Sequence, residues 1–116
     1  VTGSGDTPES KKRPMKLGDG PAIKVMDGGM LTHPKVKARL LETAQRLGIP
    51  HQLEVLEFGA TDAAAMQLTR GGVPAGCVSI PTRYLHSPSE MVDYNDVTNA
   101  VRLLVGFLSA PIDLNA

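Results

Sequence analysis

VPAGCVSI, residues 73–80, is a run of small and apolar side chains without polar alternation. A strand with one face in water alternates apolar and polar residues, whereas a strand covered on both faces has no need to. The run therefore predicts a strand covered on both sides, and that requires a sheet with layers above and below it. Cys77 within it reads as a small apolar core residue. As the single cysteine of the chain it makes no internal disulfide.

On its amino-terminal side, Thr61 and Asp62 open AAAMQLT, a predicted helix with Thr61 as N-cap and an acid in its first turn, stopped by Gly71 and Gly72. Before that, HQLEVLEF, 51–58, has the length and the Gly59 closure of a strand. From Pro34 the apolar positions Val36, Leu40, Leu41, Ala44 and Leu47 fall on one face of a helix that ends at Gly48, with His33 near its start. PAIKVMD, 21–27, predicts another strand, closed by Gly28 and Gly29, and 1–20 reads as an irregular segment. Beyond the opening run, Val97, Ala100, Val101, Leu104, Val105 and Leu108 make a last amphipathic helix capped by Asp93 or Asn95.

The alternation of strand and helix predicts an α/β fold, a parallel-type sheet covered by helices, joined by right-handed crossovers. Three parallel strands leave unpaired edges, so something else is expected to complete the sheet. Ligands of such sheets bind outside the carboxyl ends of the strands. If the sheet is parallel, the loops 27–29, 59–62 and 82–93 share that edge. The last is long for a connection between strand and helix, and long loops tend to carry function.

Composition narrows the function classes. Twelve basic and twelve acidic residues balance, with no basic cluster beyond Lys11, Lys12 and Arg13, so no nucleic-acid partner is expected. No apolar run is long enough for a membrane span and no secretory leader is evident, so a soluble, cytoplasmic location is expected. The absence of Trp leaves an aliphatic core. The chain opens on Val1 and Thr2 and reads as a processed, cleaved or partial polypeptide.

TRYLHSPSEM, 82–91, concentrates the chemistry. His86 reads either as a metal ligand or catalytic group, with Asp27, Asp62 and Glu90 as nearby carboxylate candidates, or as an ordinary loop histidine. No local metal motif of the His-Glu-x-x-His or paired Cys-x-x-Cys kind is present. His33 and His51 read as capping or surface residues. Asp62 is equally explained by the helix dipole, and Arg83 and Tyr84 either orient a substrate or lie on the surface. Ser87 beside His86 makes no nucleophile signature.

GATDAAAMQLTRGGVP and SIPTRYLHSPSEMVDYNDV, together with VTGSGDTP and KLGDGPAIKVMD, resemble in register the carboxyl-terminal part of a family. It is the dinuclear-zinc aminopeptidases that include glutamyl aminopeptidase and the dodecameric TET enzymes. The resemblance implies that 21–116 is the C-terminal part of a three-layer zinc-peptidase catalytic domain. It also implies two zinc or cobalt ions sharing a water, peptide substrates, and a homo-oligomer in the full protein. His86 then stands at a metal ligand of that family, and Thr61, Asp62, Arg83 and Tyr84 line the substrate site. The family's other ligands and its glutamate base have no counterpart here, the last ligand falling just before Val1, so no catalytic residue is assigned. The chain alone is expected to be inactive and to need the remainder of the catalytic domain. The alternative is a non-catalytic α/β module acting through assembly.

Overall fold

The computed structural model describes residues 2–3, 15–56 and 59–111. Lys11 to Arg13 and the end of the strand expected over 51–58 lie outside them. In chain order the elements are β1 (Thr2–Gly3), β2 (Ala22–Met26), α1 (Pro34–Arg46), β3 (Gln52–Val55), α2 (Asp62–Met66), β4 (Val78–Ser79), β5 (Pro81–Thr82) and α3 (Tyr94–Leu108). This is the expected α/β class. Thr2 and Gly3 form a strand where an irregular segment was expected, because their backbones pair with Pro81 and Thr82 far along the chain.

β2 is the middle strand of three, parallel to β3 and antiparallel to β4, while β1 and β5 form a separate parallel pair. The expectation that all three main strands run parallel thus fails for the third. The reason lies in α2. Returning a chain to the start of a parallel neighbour takes a crossover, usually a full helix. α2 has only five residues and rises about 7.5 Å. The chain stays at the carboxyl end of β2 and β3 and enters β4 from there.

The strand expected over 73–80 is also shorter and more open. Pro74 has no amide to donate, and Val73 is 47% exposed. Residues 75–77 are held by single bonds, from the His33 amide at the start of α1 to the Ala75 carbonyl (3.1 Å) and from the Lys24 amide of β2 to the Cys77 carbonyl (3.0 Å). A Cβ on Gly76 would lie 2.6 Å from Val36 Cγ1, so this segment presses its bare backbone against α1. Cys77 is half-buried, not fully in the core.

α1 and α3 cover one face of β2. Ile23, Val36, Leu40, Ala44, Ile49 and Leu103 form the core, with Leu41, Val78 and Phe107 packed against it. Each of the fully buried valine, leucine and isoleucine side chains contributes about 1.5–3 kcal/mol through removal from water. His33 does cap α1: its Nδ1 accepts from the Lys35 amide at 3.2 Å, and Pro34 follows at the first helical position. The other end closes when the Ile49 amide reaches the Ala44 carbonyl (2.9 Å) and Gly48 turns left-handed at φ 65°. Asp93 caps α3 by accepting from the Asn95 amide at 2.7 Å.

Asp96, fully buried in the first turn of α3, accepts from the amides of Gly18 and Gly20, each at 2.9 Å. This ties the approach to β2 onto the helix. Gly20 sits at φ 100°, and a Cβ there would lie 2.2 Å from the Pro50 carbonyl oxygen. Gly20→Ala is expected to cost about 2 kcal/mol or more, read as a lowered urea midpoint with unchanged slope.

Apolar surface remains uncovered. Val101, Leu104, Val105 and Leu108 of α3 are 42–69% exposed, and Leu53 and Val55 of β3 are half exposed. No helix among the described residues is long and apolar enough to cross a membrane.

Candidate functional site

The direction of β4 decides where the candidate residues go. Ala22 pairs with Ser79 and Ile23 with Val78, so the chain leaves β4 past the start of β2, not its end. Of the three loops expected on one edge, two meet at the carboxyl ends of β2 and β3. The third departs from the opposite end of β2.

At the first end, the Gly28 amide donates to the Gly59 carbonyl at 2.7 Å, and the Gln67 side chain donates to the Gly29 carbonyl at 2.8 Å. Thr61 occupies the N-cap position of α2 but makes no capping bond with its side chain. Its hydroxyl instead lies 4.0 Å from Cys77 Sγ. Asp62, in the first turn of a short helix, is exposed.

A buried ionic group lies next to this end. Lys24 Nζ is 2.8 Å from Asp27 Oδ2 and 3.9 Å from Glu54 Oε1, and Thr2 donates its hydroxyl to Glu54 Oε1 at 2.6 Å. All four residues are buried. Burial pushes the Asp27 carboxyl up, but the Lys24 ammonium and the amides of Gly29 and Met30 outweigh it and hold the group below its usual value. Glu54 Oε2 is buried without a hydrogen-bond partner. Sequence reasoning missed Lys24, Glu54 and Asp96. Charged residues in a strand or a first helical turn carry no local sign of burial.

At the other end, Arg83 and Met91 exchange two backbone hydrogen bonds, 2.8 and 3.1 Å, and close the mouth of the loop that holds His86. Within it Tyr84 and His86 take left-handed backbones, φ 57° and 63°. For residues other than glycine that conformation costs on the order of 1 kcal/mol each, and it persists only where surroundings impose it. The Ser87 amide donates to the Tyr84 carbonyl (3.2 Å), and the His86 amide donates to Glu90 Oε1 at 2.6 Å. Tyr84, Ser87, Pro88, Ser89, Glu90 and Met91 line an open groove of about 700 Å³.

His86 is exposed, and its imidazole makes no hydrogen bond or ion pair among the described residues. A ring left uncommitted in this way fits one corner of a metal centre. It does not make a whole centre: among the described residues no three His, Cys, Asp or Glu side chains gather to hold an ion. Arg83, Tyr84 and His86 therefore share one loop, while Thr61 and Asp62 sit at the far end of β2.

Comparison with known proteins covers nearly all of this architecture. A family model described as M42 glutamyl aminopeptidase matches residues 1–103. A protein of Acetivibrio thermocellus, provisionally named an aminopeptidase, is 52% identical over 105 residues, 90% of this chain and 32% of its own length. Among solved structures, an aminopeptidase from the archaeon Desulfurococcus kamchatkensis superposes with a TM-score of 0.90 at 45% identity, covering 93% of this chain and 32% of that one. The TET1 peptidase of Pyrococcus horikoshii, described as assembling into a tetrahedron or a large octahedral shell, gives 0.72 at 32% identity, covering 79% and 27%. The chain thus spans about a third of the length of the relatives it matches.

Proposed function

Because the chain belongs to the M42 glutamyl aminopeptidase family, we propose that it is the carboxyl-terminal part of an aminopeptidase that releases N-terminal residues from peptides. The observation that carries the reading is the family match over 1–103, which includes the left-handed loop presenting His86. In this reading His86 supplies one ligand of a metal centre holding two divalent ions, zinc or cobalt, and the remaining ligands and the base come from outside these residues. Bound metal in such enzymes supplies Lewis-acid chemistry toward a peptide carbonyl and its attacking water. Arg83 and Tyr84 stand beside His86 as wall residues for the substrate. The assignment of Thr61 and Asp62 to the same wall rests on family resemblance alone, since the topology separates them from the His86 loop.

The uncovered face of α3 and the exposed edge of β3 support docking against the remainder of the catalytic domain, which would remove those apolar side chains from water. Homo-oligomerisation of the whole protein is proposed by analogy with the shells described for the Pyrococcus relative. The test compares the full-length polypeptide with the isolated 116 residues on aminoacyl-p-nitroanilides, with and without a chelator. Chelator-sensitive release by the full-length protein and none by the isolated chain are expected. A full-length protein without such activity, or an isolated chain that turns over substrate, would overturn the reading.

A further inference from the structure

We propose that Glu90 is the positioning residue for His86, holding the left-handed turn from which the imidazole projects; this rests on the reading of His86 as a metal ligand. Three features of the loop lead to it. The Arg83 and Met91 backbone pair fixes where the loop starts and ends, and the Ser87 to Tyr84 bond closes a turn around His86 without itself touching that residue. A left-handed backbone at φ 63° is uncommon for any residue but glycine, even for histidine, which tolerates it better than most, so a further contact is needed to hold His86 there. The bond from its amide to Glu90 Oε1, at 2.6 Å, is the only hydrogen bond that reaches His86 among the described residues, and it uses a charged acceptor.

The bond does not rescue a buried amide, because the site is exposed and water would satisfy the same N–H. Its effect is to select one backbone. Turning φ from the left-handed to the right-handed basin swings the Cα to Cβ bond around the chain and carries the ring to a different place. A metal ligand must be held within fractions of an ångström and some 10–20° of its productive geometry. An exposed loop histidine meets that demand only if something outside its own side chain fixes its backbone. Glu90, four residues on and past Pro88, is placed to do so.

The experiment uses the full-length polypeptide with Glu90→Ala, Glu90→Gln and, as reference, His86→Ala, measuring zinc affinity, turnover and amide hydrogen exchange of the 83–91 peptide. Glu90→Ala is expected to weaken zinc binding about tenfold or more, the range seen when a partner behind a ligand is lost. It should also speed exchange in 83–91 while leaving the unfolding midpoint unchanged. Glu90→Gln keeps an acceptor oxygen at the same reach and should stay within about twofold of the parent, by the weaker strength of a neutral acceptor. The proposal is overturned if Glu90→Ala binds zinc and exchanges like the parent while His86→Ala loses zinc. Equal losses in the Gln and Ala variants overturn it too, since Gln retains the acceptor. Full zinc binding by His86→Ala would instead sink the ligand reading on which the proposal stands.

Discussion

His86→Ala in the full-length polypeptide is expected to lower metal content and peptidase turnover together, turnover by about a hundredfold or more. Losing a partner that merely orients a ligand typically costs 10–100-fold, so losing the ligand itself should exceed that range. The fold should survive. His86 is exposed, takes no part in the core of Ile23, Val36, Leu40, Ala44, Ile49 and Leu103, and caps no helix. Alanine tolerates the left-handed backbone at this position less well than histidine, a difference confined to one exposed turn. Metal analysis alongside turnover and a thermal melt separates the cases. A variant with parental metal content and turnover would make His86 an ordinary loop residue. A variant that fails to fold would contradict the burial pattern on which its structural neutrality rests.

How far the sequence revealed this arrangement depends on whether each signal was local. The helix from Pro34 and the helix ending at Leu108 were legible because a 3.6-residue apolar period and a cap are both written in neighbouring residues. β2 was legible from AIKVM and the glycines after it. The direction of the strand after Gly76 was not, because an apolar run reads the same whichever way the chain enters the sheet. The length of α2 decides that direction, and AAAMQLT has the composition of a longer helix than the five residues it forms. The same gap affected the site. TRYLHSPSEM could be recognised as a loop rich in chemistry, but its place at the opposite end of β2 from Thr61 follows only from the antiparallel pairing of Ala22 with Ser79. The left-handed backbones of Tyr84 and His86 were beyond local reading as well, since tyrosine rarely adopts that conformation and histidine adopts it in only a minority of positions.

Lys24→Met should be the most destabilising of these changes, by about 3–5 kcal/mol at neutral pH. Methionine nearly matches the lysine stem, so the expected loss is electrostatic and not a cavity. Lys24 is 1% exposed, with Asp27 Oδ2 at 2.8 Å and Glu54 Oε1 at 3.9 Å, and no other ammonium or guanidinium is paired with either carboxylate among the described residues. Removing the one cation leaves two buried carboxylates, and Glu54 Oε2 already lacks a partner. The pH dependence has a defined sign. The folded Asp27 carboxyl titrates below its usual value, so its contribution is present above the unfolded pKa, near 3.9, and is lost as pH falls through the depressed folded value. Without Lys24 only the amides of Gly29 and Met30 still lower the carboxyl, while desolvation continues to push it up. The deficit of the variant against the parent should therefore shrink as pH falls and acid protonates Asp27. Adding Glu54→Gln to Lys24→Met should recover part of the loss at pH 7 by removing one of the two unpaired charges. Urea unfolding at several pH values measures all three. A single variant within about 1 kcal/mol of the parent at pH 7 would mean that the cluster is hydrated enough for its charges to be screened, as at a surface pair.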